Sequence, residues 1–206
     1  MKQFFQKYSY RMVKLFITQC VISLFGNVLA LAGISANSSG LIIAMGVFSI
    51  LFYLFLVYME AWSVGSSDKP SIDGGRAKFS ATTGLLIGLC ASIPNIIFAT
   101  IYLALHDAAG IVEGAISTIC GLALSIFAFT NGMYMGIMSD GVFAEGFALN
   151  NYGIVFFLIN LPAIITVMLG YIAGVKDFHL TRALLPMNAE EVEIKRDQKR
   201  EKESDK

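Results

Sequence analysis

The sequence predicts an all-α, polytopic integral membrane helix bundle built on five hydrophobic segments. Three observations carry that reading. Of the 206 residues, 56% are hydrophobic and only 15% charged, against about 25% charged in an ordinary soluble domain. The mean hydropathy of +0.67 comes from apolar runs long enough to cross a bilayer, not from one apolar core. Lys and Arg occupy three places only: four in residues 1–14, three in 62–81 and eight after residue 175.

The same properties exclude several classes. Net charge is zero, and no basic patch exceeds ordinary membrane-flanking charge, so nucleic acid is not an expected partner. Cys20, Cys90 and Cys120 each lie inside an apolar run and lack metal-site spacing, so they read as small packing residues. No metal or other cofactor is expected.

The chain begins with Lys2, Lys7, Arg11 and Lys14 interleaved with Phe4, Phe5, Tyr8 and Tyr10. Aromatics favour the headgroup layer and basic residues an anionic leaflet, so this reads as an interfacial lead-in. The first span is about 12–34, interrupted at Gly26-Asn27. An uncharged hairpin over 35–40 leads to the second span, about 41–62. Its bulky aromatic centre suits lipid contact.

The segment Trp62–Ala81 reads as a cytoplasmic loop, because Gly65, Pro70, Gly74 and Gly75 argue against a continuous helix. Its motif residues are Trp62, Gly65, Asp68 and Arg76. The spacing Trp62-x-x-Gly65-x-x-Asp68 recurs near the end of the chain as Tyr171-x-x-Gly174-x-x-Asp177.

The third span, about 81–106, opens on the small-residue pair Gly84 and Gly88 and carries Pro94-Asn95 near its centre. Residues 109–138 are rich in glycine, including Gly110 and Gly114, carry Glu113 and break at Asn131-Gly132. The last span, about 152–175, contains Asn160-Leu161-Pro162 and ends on Gly170 and Gly174. Residues 1–187 form the transmembrane domain, and 188–206 form a charged cytoplasmic tail.

The segments 35–40, 106–110 and 139–152 contain no Lys or Arg. The positive-inside rule therefore places both termini and 62–81 in the cytoplasm and those segments outside. Five full crossings cannot satisfy this. Three solutions stand open: a re-entrant pair broken at Asn131-Gly132, a sixth span over Asn131–Asn150, or five spans with the tail outside.

Polar groups at membrane depth are costly and so are functional candidates. Asn95, Asn160, Glu113 and Asn131 are the proposed polar centre, with Asn95 and Asn160 beside prolines that free backbone carbonyls. Gly84, Gly88, Gly110, Gly114, Gly170 and Gly174 are the proposed packing residues. His106 and His179 fall at opposite interfaces, and no nucleophile–base pattern occurs, so no enzyme is expected.

The stretches E-A-W-S-V-G-S-S-D-K and G-Y-I-A-G-V-K-D-F-H-L, each following a span, resemble those of uncharacterised small multi-span membrane proteins of Gram-positive bacteria. The resemblance implies a bacterial plasma membrane, and it carries over no site residue. The expected activity is that of a membrane subunit in transport or export. The alternative is a non-catalytic scaffold, assembly or immunity protein that binds another membrane protein, or its own copy, through glycine-rich helix faces.

Overall fold

Seven α-helices follow one another among the described residues: α1 (Lys2–Ser35), α2 (Ser39–Asp73), α3 (Ala81–Ala109), α4 (Ala115–Thr130), α5 (Gly132–Met138), α6 (Val155–Leu158) and α7 (Leu161–Val175). They come from a computed structural model that describes residues 2–36, 38–109, 115–138 and 153–178. No strand occurs among the described residues. Met1–Lys176 form one compact unit and Asp177–Lys206 a second, of which 177 and 178 are described.

Four stretches are long and apolar enough to cross a membrane: Phe4–Ser35, Ser39–Asp73, Ala81–Leu105 and Val155–Val175. The fifth hydrophobic segment is a helix pair bent by 101° at Asn131. Burial is inverted relative to a soluble protein. Gln19, Ser23, Asn95, Asn131 and Asn160 are buried, whereas Val13, Ile17, Val21, Leu24, Val28 and Leu31 of α1 face outward. Water would not tolerate an apolar stripe of that length, but lipid does.

Two expectations about helix continuity are corrected. Gly26-Asn27 does not interrupt α1, which runs unbroken from Lys2 to Ser35. Gly26 is instead a notch for α5: a Cβ there would meet the Met133 Cα at 2.5 Å. Nor do Gly65 and Pro70 end α2, so Trp62, Gly65 and Asp68 lie on a helix and not in a loop. Packing is the reason. Gly65 sits against the Tyr171–Val175 backbone, where a side chain would not fit, and this contact outweighs its weak helix propensity. Pro70 sits close to the C-terminus, and the helix stops three residues later. The turn itself is at Gly74 and Gly75, the latter with φ +69°, a backbone conformation that suits glycine.

Directions follow from the contacts. Gly170 packs on Tyr58 and Ala61, and Gly174 on Trp62 and Ser66, so α7 runs parallel to α2. Gly33 packs on Ile42, so α1 and α2 are antiparallel. Gly84 meets Met168 and Tyr171 while Gly88 meets Ile164, so α3 is antiparallel to α7. The start of α1, the end of α2, the start of α3 and the end of α7 therefore share one end of the bundle. Every Lys and Arg among the described residues of this unit belongs to that end.

The bent pair does not reach the basic end. Cys120 of α4 lies by the Tyr102 carbonyl, in the far half of α3. The bend itself meets Gln19 and Ser23, halfway along α1. From there α5 crosses to α2, where Ile137 lies on Gly46. Gly153, the next described residue in the chain, packs on Leu103, back in the far half of α3. Among the described residues, then, the fifth segment is a bent pair of the kind that a broken span or a re-entrant loop makes. Five full crossings would have left α7 ending away from the start of α1, contrary to what is seen.

Candidate functional site

The α4–α5 break is built on polar residues of α1. Gln19, Ser23 and Asn27 recur every four residues, which places them on one helix face. The Ser23 hydroxyl donates to the Phe129 carbonyl near the end of α4 and accepts the Gly132 amide that opens α5. One oxygen thus serves both exposed helix ends, which would otherwise leave backbone groups unpaired. Gln19 Nε2 donates to the Thr130 carbonyl and to Asn131 Oδ1, each at 3.2 Å. Asn131 Nδ2 in turn donates to the Phe127 carbonyl at 3.0 Å. Gly132 is required because Asn27 and the Ser23 carbonyl occupy the space of a Cβ.

A second amide group lies between α3 and α7. Asn95 is fully buried and donates Nδ2 to Asn160 Oδ1 at 3.4 Å. Asn160 sits where α6 passes into α7, and Pro162 follows within the first turn of α7. Its Nδ2 donates to the Phe156 carbonyl at 3.0 Å. Asn131 and Asn160 therefore play the same local part, each bonding the carbonyl four residues earlier. The two phenylalanines that offer those carbonyls touch, with ring centroids 5.0 Å apart.

Three atoms in this interior, Asn95 Oδ1, Ser49 Oγ and Tyr134 Oη, are buried with no hydrogen-bond partner among the described residues. Unpaired buried polar groups are rare in folded proteins and mark places where a further polar group belongs. Around Gln19, Tyr53, Ser92 and Val167, where α1, α2, α3 and α7 converge, a void of about 10 Å³ remains. That is close to the least space a single water needs.

A different cluster ties the basic end together. Asp68, only 5% exposed, accepts hydrogen bonds from Tyr8 at 2.5 Å and Tyr171 at 3.1 Å. It also pairs with Lys7 at 2.7 Å. The Lys7 ammonium lies 4.9 Å from the centre of the Tyr8 ring, a cation–π distance. One carboxylate thus joins α1, α2 and α7. Lys14 and Glu60 make a second bridge between α1 and α2 at 2.6 Å.

Asn95 and Asn160 are brought together as one pair, and Asn131 is joined to α1 instead. Gly84 and Gly88 lie against α7, while Gly170 and Gly174 lie against α2. Gly65 and Asp68 are buried on α2, Trp62 is half-buried with its carbonyl against Gly174, and Arg76 follows the turn after the helix. Glu113, Gly110 and Gly114 lie outside the described residues. Sequence reasoning missed Gln19 and Ser23, although their spacing with Asn27 was a usable signal. It also missed Tyr8 and Lys7 as partners of Asp68, which no local pattern reveals.

Chemically, the interior offers amide and hydroxyl groups without formal charge. No group of three or more His, Cys, Asp or Glu suited to a metal occurs among the described residues. The arrangement can bind and orient uncharged polar groups. The fold and this interior define a multi-pass α-helical membrane protein. No protein-family model, curated protein or solved structure matches the chain.

Proposed function

We propose that the protein is a membrane-embedded subunit of a transport or export system. The observation that carries this is Asn95. It is fully buried in the bundle, bonded to Asn160 through Nδ2, and its Oδ1 has no partner among the described residues. Transporters place such polar groups at mid-membrane, beside interrupted helices, to meet their substrates. The 101° bend at Asn131 adds a second interrupted helix to the same interior. The competing reading, a scaffold that binds partners through glycine faces, is less favoured. Gly84, Gly88, Gly170 and Gly174 are already covered by helices of this chain.

The membrane in this proposal is the plasma membrane of a Gram-positive bacterium, as the loop motifs suggest. The basic end is cytoplasmic, as the positive-inside rule requires. A reporter active only in the cytoplasm, fused after residue 206, is expected to be active. One inserted in 139–152 is expected to be silent. The reverse pattern in stable fusions would overturn this orientation.

The functional test is solute flux into proteoliposomes that hold the protein with the products of its neighbouring genes. Asn95→Leu with Asn160→Leu is expected to abolish flux while the protein remains folded. Undiminished flux in the folded double variant defeats the transport reading. An adjacent ATPase gene would support it, and a toxin or peptide gene would support the scaffold or immunity class.

A further inference from the structure

The inner angle of the bent pair holds a cavity of about 320 Å³ between α4, α5 and α6. Its walls include Leu124, Phe127, Ala128, Met135 and Phe156. Among the described residues, the only polar side chain in the lining is Ser125, and its hydroxyl donates to its own helix at the Gly121 carbonyl, at 2.8 Å. The break amides do not face a ligand here. Asn131 and Asn160 give their Nδ2 groups to the carbonyls of Phe127 and Phe156, whose rings form part of the wall. Among the described residues of the lining, no charged or unpaired polar group would recognise a headgroup, a sugar or an ion.

The cavity is continuous with the lipid-facing surface. Leu124 and Met135 both line it and face outward, at 37% and 38% exposure. Its volume is at the small end of the ~300–1,000 Å³ range of small-molecule sites. That suits one flexible chain and not a whole lipid. An empty apolar space of this size would forfeit packing on every wall. Methionines such as Met135 and Met138, which line it, adapt readily to an irregular chain.

We propose that the angle between α4 and α5 is a specific binding site for one acyl chain of a membrane phospholipid. The chain enters sideways from the bilayer and lies against Phe127 and Phe156. It thereby wedges the bent pair at its 101° angle and touches both helix interruptions at once.

The test is photolabelling of the full chain in phosphatidylcholine nanodiscs. A trace of phosphatidylcholine carries a mid-chain diazirine, whose carbene inserts into neighbouring C–H bonds with loss of N2. Peptide mapping is expected to show labelling at Phe127, Met135 and Met138 several-fold above that at Val28 and Leu31, which simply face lipid. Ser125→Phe, an exposed position that fills the cavity, is expected to remove the excess and leave the α1 labelling unchanged. Ala128→Leu provides the same test with a smaller change. Equal labelling at both places overturns the proposal, as does an excess that survives both fillings. Labelling of the bend by a diazirine fatty acid but not by the phospholipid also overturns it.

Discussion

Asp68 at the basic end and Asn131 in the middle of the bundle are 5% and 2% exposed respectively, and side chains of α1 hold both. They differ in how the burial is tolerated. Asp68 carries a charge, and its counter-ion Lys7 keeps 49% of its side chain exposed, so the pair reaches the polar edge of the membrane. Asn131 is neutral, and its partners Gln19, Thr130 and the Phe127 carbonyl are neutral as well. A charge at mid-membrane costs several kcal/mol, whereas an amide needs only its hydrogen bonds. The chain therefore uses ion pairing where water is near and amide networks where it is not.

The sharpest way to break this comparison is through the backbone contact beneath the basic end. Gly174→Leu would push a side chain into the Trp62 carbonyl and the Ser66 amide, and overpacking of that kind costs about 3 kcal/mol. Gly121→Leu, where a Cβ meets open space, should stay within about 0.5 kcal/mol. Unfolding in mixed detergent micelles measures both, and equal effects would mean that the α2–α7 contact does not hold the fold.

Next in size is Asp68→Ala, which strands the Tyr8 and Tyr171 hydroxyls. A loss of about 2–4 kcal/mol is expected. Lys7→Ala should cost less, about 1–2 kcal/mol, because the lysine is half in water although the carboxylate it leaves is buried. If the two variants prove equal, the carboxylate acts only as a counter-ion, and the tyrosine bonds are incidental.

Ser23→Ala tests the amide side of the comparison. It removes the oxygen shared by the Phe129 carbonyl and the Gly132 amide, for an expected loss of about 1–3 kcal/mol. Ser35→Ala is the control, since that exposed hydroxyl bonds only its own helix. No difference between the two would show that packing alone sets the bend.

The smallest effect belongs to Lys14→Ala. Lys14 and Glu60 are partly exposed, so the loss should be at most about 1 kcal/mol and should shrink in high salt. A large effect, insensitive to salt, would mean that the basic end is as dry as the middle.

Much of the architecture was legible from the chain alone. Apolar runs over about 20 residues imply crossing helices whatever they pack against. The charge distribution posed a parity problem and drew attention to the segment that proves to be a bent helix pair. Asn95, Asn131 and Asn160 stood out because polar groups at membrane depth are conspicuous by composition. The Gly65–Gly174 relation was visible only as an echo in spacing. That Gly65 and Gly174 meet on parallel helices depends on residues more than 100 apart.

Helix ends were less legible. Gly26, Gly65 and Pro70 carry local signals for interruption, yet α1 and α2 run through them. A glycine that breaks a helix and one that seats a neighbouring helix look alike until the neighbour is known. The pairing of Asn95 with Asn160, the α1 side chains that close the break at Asn131, and the tyrosines on Asp68 were likewise decided by tertiary structure. Amino-acid type determined which groups cannot be left unpaired in lipid. Only the packed bundle determined which partners satisfy them, because hydrogen bonds depend on position in space, and local sequence does not encode contacts between distant helices.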